Sequence, residues 1–124
     1  MLVEEDLTHA IRGAAIEVHR NLGPGLLESA YETCLCWELD QLGVPNQKQL
    51  ALPVNYKGQQ LDCDYRIDIL VDERVLLELK SVKKNLPIHE AQILTYLRLS
   101  GTKVGLLMNF NVPLMKDGIE RFVQ

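Results

Sequence analysis

Cysteine is scarce in this 124-residue sequence: Cys34, Cys36 and Cys63 are odd in number and never spaced as CxxC. That excludes a disulfide framework and points to reduced thiols. On a helix, Cys34 and Cys36 would point their sulfurs about 200° apart, at roughly 100° per residue, so packed thiols rather than a shared zinc are expected. No apolar run approaches the ~20 residues a membrane-spanning helix needs. Glu4, Glu5 and Asp6 stand where a signal peptide would be basic, so no membrane partner and a cytoplasmic location are expected. Neither GxGxxG nor GxxxxGK[ST] occurs, which removes the usual support for a nucleotide-binding fold. Basic charge is also in deficit, with 13 Lys and Arg against 17 Asp and Glu, a net −4. Affinity for nucleic acid comes largely from cations meeting phosphates, so this balance argues against tight unaided binding. Acidic metal ligands inflate the negative count, and a bound divalent ion returns part of that charge locally.

What is present fits one ordered domain spanning residues 1–124: 47% hydrophobic, 24% charged, without repeats or low-complexity tracts. Leu7, Ile11, Ala14 and Val18 follow helical spacing up to Arg20, and Asn21-Leu22-Gly23-Pro24-Gly25 breaks the run. A second helix is expected from about Leu26 to Leu42, ended by Gly43, with Leu27, Tyr31, Cys34, Leu35, Leu39 and Leu42 inward and Glu28 sharing a face with Tyr31. Leu50 to Tyr56, a Lys57-Gly58 turn and Gln59 to Val71 read as strand, turn, strand. Val75 to Val82 resumes the strand pattern, Pro87 to about Leu99 reads as a third helix, and Lys103 to Phe110 as a further strand. The segment Pro113 to Gln124 fits no single pattern. The order implies an α/β (α+β) domain, a mixed sheet with helices against it.

Two charges interrupt apolar strands. Asp68 lies within Ile67-Asp68-Ile69-Leu70-Val71 and Glu78 within Leu76-Leu77-Glu78-Leu79, where burial is costly unless the charge is paired or metal-bound. If Asp72-Glu73-Arg74 is the loop of a hairpin, residues equidistant from Glu73 face each other, and Asp68 and Glu78 are such a pair. Lys80, two residues beyond Glu78, falls on the same face, and a one-residue slip would separate the two carboxylates. Facing carboxylates repel, and a hard cation such as Mg²⁺ or Mn²⁺ relieves the repulsion with the oxygen ligands it prefers. Lys80 then suits orienting or deprotonating a water that attacks phosphorus. The competing account is a surface hairpin with a cross-strand Lys-Glu pair. Gln92 and Tyr96, one helical turn apart, project together. Base rates make Glu28 a solvated helix residue, and His19 and His89 surface or capping residues.

At these positions the sequence resembles the GxxExxY family within the PD-(D/E)XK nuclease-like superfamily. The naming motif stands as Gly25-Leu26-Leu27-Glu28-Ser29-Ala30-Tyr31. Supporting blocks run nearly end to end: Ala14 to His19 with Leu22-Gly23-Pro24-Gly25, Tyr65-Arg66-Ile67-Asp68, Glu78-Leu79-Lys80, Ile88 to Gln92 with Tyr96, and Val104 to Phe110. Ile67 replaces the proline that often precedes the aspartate. The resemblance implies a restriction-endonuclease-like core in which Asp68, Glu78 and Glu28 bind metal and Lys80 assists the water. It further implies that Gln92 and Tyr96, similar to a QxxxY element, support the site and contact substrate together with Tyr31.

Two functions remain in view. One is a Mg²⁺-dependent (or Mn²⁺-dependent) nuclease hydrolysing phosphodiester bonds, DNA ahead of RNA; hydrolysis of another phosphate ester would draw on the same residues. The other is a non-catalytic nucleic-acid-binding or protein-interaction module on a nuclease scaffold. With no basic stripe beyond Lys80, Lys83, Lys84 and the distant Arg98 and Lys103, specificity is expected from a partner protein or a homo-oligomer, for which a C-terminal edge strand offers one surface.

Overall fold

The computed structural model describes residues 4–124. Helices α1 (Glu5–Leu22) and α2 (Glu28–Gln41) precede strands β1 (Asn46–Ala51), β2 (Val54–Tyr56), β3 (Gln59–Leu61), β4 (Arg66–Val71) and β5 (Val75–Lys80). Helix α3 (Pro87–Ser100), β6 (Val104–Asn109), a 3₁₀ turn (Met115–Gly118) and β7 (Ile119–Val123) complete the chain. Five strands form a mixed sheet in the order β1-β4-β5-β6-β7. Only β5 and β6 are parallel, with α3 as their connection; the other neighbours are antiparallel. The strand-helix-strand pattern requires this arrangement, because a parallel pair needs a long crossover.

Helices cover both faces. Tyr31, Leu35 and Leu39 of α2 and Ile11 and Ala15 of α1 pack on Ile69, Val71, Val75, Leu77, Leu79, Leu106 and Met108. On the other face Ile93, Tyr96 and Leu97 of α3 pack on Leu76 and Leu107 together with Leu52 and Ile67. All of β6 and the first five residues of β5 are consequently buried, as their continuous apolar sequences demand. Gly105 permits the close seat of α3: a Cβ there would lie 3.1 Å from both Ile93 Cδ1 and Leu97 Cδ2.

Several expectations need correction. The segment from Leu50 to Val71 is not one hairpin, because Pro53 interrupts it. The β1 strand pairs with β4, whereas β2 and β3 form a separate two-stranded sheet around the Lys57-Gly58 turn. Leu27 and Leu42, expected inside, lie just beyond the two ends of α2 and are 77% and 57% exposed. His19 is not a surface residue: it is buried, with Nε2 2.8 Å from the Val112 carbonyl. His89 does cap, since its Nδ1 accepts the Leu86 N–H at 3.0 Å. The cysteines are free, and burial, then the charge of Glu32, pushes the Cys36 thiol up to about 11. The segment Pro113 to Gln124 resolves into the 3₁₀ turn and β7, an edge strand of the main sheet.

The β4–β5 turn fixes how the two acidic strands are aligned. Arg74 N–H donates to Val71 O at 2.9 Å, and Asp72 and Glu73 both take left-handed backbone angles, φ 49° and 57°. That is the geometry of a tight hairpin turn, and it pairs Val71 with Val75 and Ile69 with Leu77. The expected register therefore holds as far as Ile69 and Leu77, the last pair of the ladder.

Candidate active site

Beyond the Ile69–Leu77 pair the ladder changes character. Instead of backbone carbonyls, side-chain carboxylates accept the next N–H groups: Asp68 Oδ2 takes that of Leu79 at 2.8 Å, and Glu78 Oε1 takes that of Asp68 at 3.3 Å. Two acidic side chains are thus crossed between the strands. Side-chain alternation also breaks here, since Ile67 packs on the α3 face whereas Ile69 and Val71 pack beneath α1 and α2.

Glu78 is only 3% exposed. Burial, then the charge of Asp68, raises its carboxyl to about 8; Lys80 opposes that rise. Lys80 is half-buried on the same face as Glu78, and its Nζ donates to Gln92 Oε1 at 3.2 Å. Gln92 Nε2 in turn donates to the Tyr96 hydroxyl at 3.2 Å. Gln92 and Tyr96 do project together, one turn apart on α3, and tether the lysine. Burial raises the Tyr96 hydroxyl, with the nearby Glu78 and Asp68 charges adding to the rise.

The far side of Asp68 holds two residues that sequence reasoning missed. Gln49 of β1 donates through Nε2 to Glu32 Oε2 at 2.9 Å and to Asp68 Oδ1 at 3.4 Å. Its own backbone is left-handed, φ 54°, inside a strand. Glu32 lies one turn after Glu28 on α2; burial raises its carboxyl, and the Asp68 and Glu28 charges raise it further against the Gln49 bond. Gln49 offered no chemical signal in the sequence, and only the four-residue spacing from Glu28 marked Glu32.

Two expected site residues stand apart from this group. Glu28 is exposed at the first position of α2 and acts electrostatically on Glu32. Tyr31, three residues further along α2, is fully buried and stacked on Phe110, centroids 4.4 Å apart. Its hydroxyl donates to Gly23 O at 2.6 Å and accepts the Leu26 N–H at 3.1 Å, closing the loop that leads into α2. Tyr31→Phe is expected to lower unfolding free energy by about 1 kcal/mol in urea titration, since two part-buried backbone groups lose their partner.

The family model described as the PD-(D/E)XK nuclease superfamily matches residues 5–122. The chain belongs to that superfamily. Its five-stranded mixed sheet flanked by helices is consistent with the restriction-endonuclease-like fold. No curated protein and no solved structure matches the chain. Membership in the PD-(D/E)XK superfamily suggests nuclease activity and implies nucleic-acid binding, and its nucleases generally use divalent metal ions. Among the described residues, no three His, Cys, Asp or Glu side chains converge as a metal cage, and no helix is long and apolar enough to cross a membrane. The donor set nevertheless fits a hard divalent cation. Asp68 and Glu78 present oxygen ligands close enough for the charge of Asp68 to raise the Glu78 carboxyl, and Mg²⁺ commonly takes only one or two protein carboxylates, keeping waters and substrate phosphate for its remaining positions.

Proposed function

We propose that the protein is a Mg²⁺- or Mn²⁺-dependent nuclease of the GxxExxY type that hydrolyses phosphodiester bonds of nucleic acid, DNA ahead of RNA. The crossing of Asp68 and Glu78 carries this reading, because it gathers two carboxylates at the end of a broken ladder beside a lysine held by a partner that is not an acid. Asp68 and Glu78 would hold the cation, and Glu28, at the start of α2, is the third ligand that the family resemblance implies. A divalent ion there supplies Lewis-acid stabilisation at a phosphate oxygen and a more acidic water.

The remaining work falls to the chain's own groups. Lys80 Nζ orients the attacking water and offsets negative charge growing on the phosphate. Gln92, fixed by the Tyr96 hydroxyl, aims Lys80. Tyr31 supports the site from below by fixing the loop from Gly23 to Leu26 and hence where α2 begins. One observation favours the second reading, a protein-interaction module: Leu27 and Trp37, 77% and 58% exposed, leave apolar surface along α2.

The deciding experiment combines calorimetric titration of Mg²⁺ and Mn²⁺ with cleavage of labelled DNA and RNA, in wild type and Asp68→Ala. Ion-dependent cleavage is expected in the wild type. Asp68→Ala should lose it and bind the ion at least ~10-fold more weakly, as loss of a direct ligand implies. Ion binding indifferent to Asp68, or an ion-loaded wild type that cleaves neither polymer, would overturn the nuclease reading.

A further inference from the structure

Tyr65 is 47% exposed and stands immediately before β4, three residues ahead of Asp68. Its ring meets that of Tyr96 edge-on, with centroids 6.3 Å apart and planes inclined at 62°. Tyr96 leads through Gln92 to Lys80 Nζ. An accessible aromatic ring is therefore coupled by packing and two hydrogen bonds to the lysine at the crossed carboxylates. The backbone beneath it is fixed, since Tyr65 O accepts the Leu52 N–H at 2.8 Å. Tyr96 is only 7% exposed, which leaves Tyr65 as the accessible ring of the pair.

The adjoining Arg66 is also open. Its two contacts lie at the outer limit of bonding, 3.5 Å to Gln49 O and 4.0 Å to Asp64. Three residues of extended chain span about 10 Å, and successive nucleotides of a stacked strand are about 3.4 Å apart. A base lying on Tyr65 would thus sit a few nucleotides from a phosphate at Asp68. The chain's net charge of −4 makes phosphate neutralisation a weak source of affinity. Stacking is the contribution left, and it requires a base whose face is free.

Resting on the nuclease reading, we propose that Tyr65 is a stacking platform for an unpaired base, with Arg66 holding the neighbouring phosphate, and that the substrate class is single-stranded or frayed nucleic acid. Every base has a π-face, so recognition is tolerant of sequence. Intact duplex, its bases already stacked on one another, gains nothing from the ring.

Binding of end-labelled oligothymidylate and of a blunt duplex is measured by fluorescence anisotropy in EDTA, so that no cleavage contributes. Wild type, Tyr65→Phe and Tyr65→Leu are compared, with folding checked by thermal melts. Wild type should prefer the single strand, Tyr65→Leu should weaken that binding about tenfold or more, and Tyr65→Phe, which keeps the ring, should restore it. Duplex binding should be the same in all three. Equal loss in both variants, no loss in either, or a wild-type preference for duplex would overturn the proposal. Single-strand binding that depends on the ring in a protein that never cleaves would sink the nuclease reading and leave the platform standing. Ion-dependent cleavage with binding indifferent to Tyr65 would do the reverse.

Discussion

Lys80→Ala should reduce ion-dependent cleavage by ~10²–10⁴-fold, the range spanned by loss of one positioned proton-transfer group, while leaving ion affinity nearly intact. The separation follows from the connections of Lys80. Its Nζ donates to Gln92 Oε1, and it opposes the rise in the Glu78 carboxyl without being a metal donor itself. In the proposed mechanism, removing it takes away the group that would orient the attacking water and keeps both carboxylates. Single-turnover cleavage measures the first effect and calorimetric titration of Mn²⁺ the second. Loss of cleavage accompanied by equal loss of ion binding would make Lys80 a structural prop, and unchanged cleavage would remove it from the chemistry altogether.

The second large effect belongs to Glu78→Gln. An ordinary glutamate titrates near 4.5, whereas burial and Asp68 hold the folded Glu78 up to about 8. Between those values the folded chain keeps a proton that the unfolded chain has released. Unfolding free energy therefore falls as pH rises from about 4.5 towards 8, at up to about 1.4 kcal/mol per pH unit. Glutamine carries no such charge. It retains an oxygen for the Asp68 N–H and offers Asp68 an N–H in place of the carboxyl proton. The ion-free variant should thus be more stable than wild type at pH 8, on the order of 3–5 kcal/mol, with the difference vanishing near pH 4. Urea titrations in EDTA at several pH values check this. Ion binding carries the complementary signature, because occupying Glu78 displaces its proton: wild-type affinity should climb about tenfold per pH unit below 8 and level off above it. A flat affinity profile would mean that Glu78 is already ionised in the free protein.

Much of this site was legible because it depends on one loop length. Asp72-Glu73-Arg74 fixes the register as far as Ile69 and Leu77, Asp68 and Glu78 follow one residue further on, and alternation along β5 adds Lys80. Helical spacing placed Gln92 with Tyr96 in the same way. What escaped lies where elements meet without a shared period. The β1 strand is polar and mostly exposed, Asn46-Gln47-Lys48-Gln49, so nothing in its pattern announces a strand. Gln49 then reaches both Glu32 and Asp68 from a left-handed backbone that no propensity foretells. The inward face assigned to α2 failed at its ends because Leu27 and Leu42 lie one residue beyond the helix, where helical spacing no longer governs direction. His19 looked like a surface residue because its partner, the Val112 carbonyl, is 93 residues away.

The seat of α3 on Gly105 has a further bearing on the lysine. Gln92 rides on the same helix as Ile93 and Leu97, whose side chains already come within 3.1 Å of where a methyl group on residue 105 would be. The separation between Gln92 and Lys80 is accordingly a layer thickness, set by a hydrogen atom on a buried strand rather than by either polar partner. Packing and chemistry share one dimension of the molecule there. A larger residue at position 105 makes Ile93 and Leu97 give by a few tenths of an ångström, so the helix that carries Gln92 feels a change on β6 while every charged residue stays in place.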